Sequence, residues 1–113
     1  MVNIMMDVYK LIADMICNSI DDKWEKAVVE IESSLGKMLS TNAYYFFKDG
    51  HKNAFGLIND NQDEDLGENI FELQEAMYPE HKWNRAVYTL EKNGHFDMEF
   101  IWDQALHDEW DNA

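Results

Sequence analysis

The stretch Trp83-Asn84-Arg85-Ala86-Val87-Tyr88-Thr89-Leu90-Glu91-Lys92-Asn93-Gly94-His95-Phe96-Asp97-Met98-Glu99-Phe100-Ile101-Trp102-Asp103 decides the fold. Apolar and polar side chains alternate with period two on both sides of Lys92-Asn93-Gly94, which predicts two strands over 83–91 and 95–103. In the second strand Phe96, Met98, Phe100 and Trp102 share one face. A two-residue Asn93-Gly94 loop would oppose them to Glu91, Thr89, Val87 and Arg85. A three-residue loop, Lys92-Asn93-Gly94, opposes them to Leu90, Tyr88, Ala86 and Asn84 and keeps one apolar face. A slip of one residue turns every side chain over, so the apolar pairing selects the three-residue loop. Gly94 then takes the left-handed position of a type I turn with a G1 bulge. Trp102 is expected in the core beside Phe100. The other face carries His95, Asp97, Glu99, Ile101 and Asp103, a row of carboxylates at a spacing of about 6.7 Å.

Outward from the hairpin the periods change. Ile4, Val8, Leu11, Ile12, Met15 and Ile16 recur at three-to-four spacing, a helix over 3–19 with Asn3 as its cap. Ala27, Val29 and Ile31 alternate with Val28, Glu30 and Glu32, a half-buried strand. Leu35-Gly36-Lys37 reads as a turn. Tyr44-Tyr45-Phe46-Phe47, within 41–48, is too aromatic for a strand solvated on both faces and is expected at the centre of the sheet. Asp49-Gly50 signals a hairpin, and 52–58 returns as a third strand with Gly56 as a possible bulge. After the acidic break at 59–65, Leu66, Ile70, Phe71, Leu73, Met77 and Tyr78 mark a second helix that stops before Pro79. Residues 104–110 are expected to form a short terminal helix. The fold class is α+β, one domain over 1–113. A mostly antiparallel sheet has helices packed on one face, in the order α-β-β-β-α-β-β-(α).

Charge narrows the function. The 113 residues hold 9 Lys+Arg and 23 Asp+Glu, a formal charge of −14. Such a chain is not built to hold phosphate, so nucleic acid and anionic membrane are not expected partners. A hydrophobic share of 46% supports a core and excludes a disordered acidic tail. Residues 58–113 carry −12 and residues 1–57 only −2. The self-repulsion of an acidic half-surface is relieved by a cationic partner. No apolar run is long enough for a membrane span. The opening Met1-Val2-Asn3-Ile4-Met5-Met6-Asp7 lacks the basic region of a signal peptide, so the cytoplasm is the expected compartment.

The chemistry-bearing residues point away from catalysis. Cys17 has no partner for a disulfide or a CxxC site. His51, His81, His95 and His107 are scattered. Asn61, Asp63, Asp65 and Glu72 fall on positions 1, 3, 5 and 12 of a calcium loop, but position 6 is Leu66 where glycine is required, with Gly67 one place late. No nucleophile elbow, phosphate loop or zincin motif is present. No cofactor, no metal and no enzymatic activity are expected.

In its opening helix Val8-Tyr9-Lys10-Leu11-Ile12-Ala13-Asp14, in Asp22-Lys23-Trp24-Glu25-Lys26, in Tyr44-Tyr45-Phe46-Phe47 and, most clearly, in Trp83-Asn84-Arg85-Ala86-Val87-Tyr88-Thr89-Leu90, Asn93-Gly94-His95-Phe96 and Met98-Glu99-Phe100-Ile101-Trp102-Asp103, the chain resembles the YezG/DUF600-type immunity proteins of bacterial polymorphic toxin systems. The resemblance runs from Tyr9 to Trp110 and rests on the order of these pieces. It implies an α+β domain that binds and neutralises a co-produced toxin, often a nuclease, inside the producing cell. No family binding residues carry over. The candidate toxin-binding residues come from charge: Asp60, Asp63, Glu64 and Asp65 in the acidic break, Asp97, Glu99 and Asp103 on the last strand, and Asp108 and Trp110 beyond it. The alternative is an acidic adaptor or regulatory module for a basic host protein.

Overall fold

The computed structural model describes residues 4–20, 23–34, 38–56, 66–78 and 80–111. The elements are α1 (Ile4–Ser19), β1 (Lys26–Ser34), β2 (Met38–Phe46), β3 (Lys52–Ala54), α2 (Leu66–Met77), β4 (Arg85–Glu91), β5 (Phe96–Ile101) and α3 (Gln104–Asp111). The five strands form one antiparallel sheet in the order β3-β2-β1-β4-β5. This is the expected α+β architecture. Asn3, the turn at 35–37 and the acidic break lie outside the described residues.

The centre of the sheet is β1, not the aromatic strand. Tyr44, Tyr45 and Phe46 belong to β2, an interior strand paired on both sides but one place off the middle, and the Tyr44 and Phe46 rings reach solvent in part on the outer side. Flanked on both edges by nine- and seven-residue neighbours, β1 buries Val28 as well as Ala27, Val29 and Ile31. Half-burial by alternation therefore understates it.

One face of the sheet carries the core. Val8, Leu11, Ile12, Met15 and Ile16 of α1 and Leu66, Ile70 and Leu73 of α2 pack with Ala27, Val29, Ile31, Ala43, Tyr45, Ala86, Tyr88 and Leu90. The helical residues fall at i, i+3, i+4, i+7 spacing, so a single stripe of each helix is removed from water. Each large apolar side chain buried this way contributes about 1.5–3 kcal/mol. Tyr88 is completely covered, and its hydroxyl donates to the Tyr9 carbonyl at 3.1 Å. Burial pushes its phenol up to about 12.

Gln74 fixes where α2 lies. Its Nε2 donates to the carbonyls of Ser33 (3.0 Å) and Trp83 (2.7 Å), and its Oε1 accepts from Ser33 Oγ at 2.9 Å. Buried polar groups are tolerable only when paired in this way.

The closing hairpin has the predicted register. Leu90 faces Phe96, Tyr88 faces Met98 and Ala86 faces Phe100, with Gly94 at φ +92°. Two expectations about length need correction. β3 ends at Ala54, although the Phe55 N–H still reaches the Ala43 carbonyl at 3.0 Å, and Gly56 lies beyond the strand. The last strand ends at Ile101, so Trp102 is outside the ladder. Its side chain is 39% exposed rather than in the core, with its indole N–H on Gln104 Oε1 at 3.0 Å.

Candidate functional site

The register places side chains of distant sequence on one face, the side of the sheet away from α1 and α2. Across it, Glu99 lines up with Val87, Glu30 and Asn42, and Asp97 with Thr89, Val28, Tyr44 and Ala54. Neighbouring strands lie about 4.8 Å apart, so the backbones of Glu30 and Glu99 are roughly 10 Å apart on the same surface. The carboxylate row of the second half thus continues into Glu30 and Glu32 of the first half. Alternation along 26–34 already put Glu30 and Glu32 on one side. The β1–β4 pairing that joins them to the row is non-local and left no mark on the sequence.

Cations on this face are spoken for. Arg85 Nε meets Asp103 Oδ2 at 2.7 Å, and its NH2 group meets Glu32 Oε2 at 3.6 Å. The hydrogen bond to Asp103 raises the guanidinium pKa further above its ordinary value. Lys26 sits over the Phe46 ring at 4.7 Å and Lys52 over the Tyr44 ring at 4.9 Å. Tyr44 and Phe46 meet edge to face at 5.6 Å. Burial, then a hydrogen bond to Glu30, raises the Tyr44 phenol pKa.

The predicted site residues fare differently. Asp60, Asp63, Glu64 and Asp65 lie outside the described residues. Asp97 and Glu99 are exposed on β5, as the alternation requires. Asp103 is occupied within the chain. Its Oδ1 accepts the Leu106 N–H at 3.0 Å as the cap of α3, and its Oδ2 holds Arg85. Its backbone is clasped by Asn84, whose Nδ2 donates to the Asp103 carbonyl and whose Oδ1 accepts the Asp103 N–H, each at 2.8 Å. The Leu106 and Arg85 bonds hold its carboxyl below the usual carboxylate range. Asp108 lies on α3 and accepts from Gln104 Nε2 at 2.9 Å. The backbone of Trp110 belongs to α3, and its side chain lies outside the described part of the structure.

The opposite end of the sheet differs in charge. The β2–β3 and β4–β5 turns and the start of β1 meet in an open hollow lined by Lys23, Glu25, Phe47, Lys48, Asp49 and Lys92. Lys92 Nζ reaches Glu25 Oε1 at 3.9 Å. With Lys26 and Lys52, five of the nine Lys+Arg gather here.

Among the described residues no group of three or more His, Cys, Asp or Glu side chains is placed to hold a metal ion. No helix there is long and apolar enough to cross a membrane. Comparison with protein-family models and with the curated proteins found no match to this chain.

Proposed function

We propose that the chain is an immunity protein of the kind its sequence resembles, one that binds a cognate bacterial toxin in the cytoplasm of the producing cell and neutralises it by stoichiometric contact. A nuclease toxin needs a cationic cleft for phosphate. A compact acidic domain occupies such a cleft, desolvates its Lys and Arg, and excludes nucleic acid. The observation that carries the reading is the convergence of Glu30, Glu32, Asp97 and Glu99 on one face, where Arg85 is already held by Glu32 and Asp103 and where Lys26 and Lys52 lie over aromatic rings. Long-range attraction speeds encounter, and packed aromatic and desolvated charged contacts set the lifetime of the complex.

The test is co-expression with the product of the adjacent gene, followed by titration of toxin activity. One equivalent of the chain should abolish activity. Protection by a small fraction of an equivalent would make the chain a catalyst, and no protection at any ratio would end the reading. Exposed single charges are worth about 0–1 kcal/mol, so most alanine variants of these carboxylates should be silent. One or two that are desolvated against toxin cations should cost about 2–5 kcal/mol of affinity.

A further inference from the structure

The two edges of the sheet are unequal. β3 is three residues long, whereas β5 presents six and, among the described residues, pairs only with β4. The Glu91 N–H donates to the His95 carbonyl at 2.8 Å, so the hydrogen-bonded pairs along this ladder are those of the odd-numbered residues. The backbone groups of Asp97, Glu99 and Ile101 therefore face β4. Those of Phe96, Met98 and Phe100, three N–H and three C=O, face outward, and no partner for them occurs among the described residues.

The two sides of that edge have opposite chemistry. On the core side stand Phe96, Met98 and Phe100, none of them fully buried, with Trp102 just beyond. Phe96 stacks on Tyr88 at 5.9 Å and Phe100 leans on Trp83 at 5.0 Å, so each of these two rings has an aromatic partner on its core side. Two of the five exposed large apolar side chains among the described residues, Phe96 and Trp102, belong to this ridge. On the other side Asp97 and Glu99 point into water. Two copies of this edge laid antiparallel would bring carboxylates against carboxylates, so charge opposes self-pairing.

We propose that β5 is a strand-addition site, and that it takes an extended segment of the partner in which apolar and basic residues alternate. Such a segment adds a sixth strand. Its backbone satisfies the outward groups of Phe96, Met98 and Phe100. Its apolar side chains cover the aromatic ridge, and its Lys or Arg side chains meet Asp97 and Glu99. The proposal rests on the antitoxin reading only for the identity of the partner, a toxin.

The probe is a seven-residue peptide alternating valine and lysine, compared with a peptide of the same composition in blocks and with one methylated on alternate backbone nitrogens. Binding is followed by amide hydrogen exchange and Trp fluorescence. The alternating peptide should slow exchange at Phe96, Met98 and Phe100 at least tenfold when bound, and the other two should bind at least tenfold more weakly. Equal binding of all three, binding without that protection, or no binding overturns the proposal. Met98→Pro, which removes an outward N–H the native ladder does not use, and the paired change Asp97→Lys with Glu99→Lys should each weaken peptide binding tenfold or more. Should wild type and both variants neutralise the toxin equally, strand addition is wrong and the antitoxin reading stands. Should wild type bind the peptide as described yet give no protection, that reading fails and the edge remains a binding site for another partner.

Discussion

The molecule makes the same turn twice and obtains two different strands from it. Phe47-Lys48-Asp49-Gly50-His51 and Glu91-Lys92-Asn93-Gly94-His95 share their hydrogen bonds. The Gly N–H returns to the first carbonyl (3.0 and 2.9 Å), the first N–H reaches the His carbonyl (2.8 Å in both), and the His N–H is caught by the Asp or Asn side chain (2.9 Å in both). Both glycines sit at positive φ, +93° and +92°. Yet the first turn leads into three exposed residues, Lys52 to Ala54, and the second into six. The turn sets the register, and the side chains beyond it set the strand length. β5 has Phe96, Met98 and Phe100 to lay on Tyr88 and Trp83, with Asp103 fastening its far end. Among the residues of β3 no comparable ring is present.

The largest test removes that anchor. Trp83 is 1% exposed, and its indole N–H lies 3.2 Å from Met77 Sδ. Trp83→Ala should cost about 3–5 kcal/mol in chemical denaturation and free Phe100, leaving β5 exchanging like β3. An intact β5 in that variant would mean that packing does not set strand length.

A smaller effect separates the twin glycines. A Cβ at Gly50 or Gly94 meets nothing within 4 Å, so the substitution carries only the backbone cost. Gly94→Ala should lower global stability by about 1–2 kcal/mol. At Gly50 the same strain is released by local opening of β3. Gly50→Ala should therefore shift global unfolding by less than about 0.5 kcal/mol while speeding exchange at Asn53 and Ala54. Equal global losses would show that the β2–β3 hairpin unfolds only with the whole molecule.

The smallest concerns the far end of β5. The carboxyl of Asp103 titrates below the usual range, so the stabilisation its charged form supplies is present above the ordinary carboxylate pKa of about 4 and is lost as pH falls through the lower, folded value. Asp103→Asn should loosen α3 and the end of β5 at neutral pH, seen as faster exchange at Leu106. The difference from wild type should close on acidification. A difference that persists in acid would assign the effect to geometry rather than charge.

Local patterns carried most of the fold. The helical stripes, the two glycine turns and the closing register are all written in neighbouring residues, where a one-residue error would bury a charge. What the sequence withheld is non-local. Nothing near Tyr44–Phe47 says that β1 rather than β2 is central, because centrality is decided by β4 crossing to the far side of β1. Alternation extended Trp102 into the core, but Asn84 takes the Asp103 backbone first and ends the strand. The candidate site was legible at Asp97 and Glu99. Its extension through Glu30 and its outward backbone depended on pairings that no window of sequence contains.

The twin turns both carry a lysine and both lie at one end of the sheet. There Lys23, Lys26, Lys48, Lys52 and Lys92 stand with Glu25, Asp49 and Glu91. Counted together, these five positive and three negative groups leave +2 at this end of a chain that carries −14 in all. Among the described residues that end is therefore a weakly cationic pole on an acidic chain. A cationic body approaching it exerts a torque that swings the turns away and presents the anionic remainder. At physiological salt the field reaches only about 8 Å, so this alignment acts in the last moments before contact and shortens the rotational search rather than the journey.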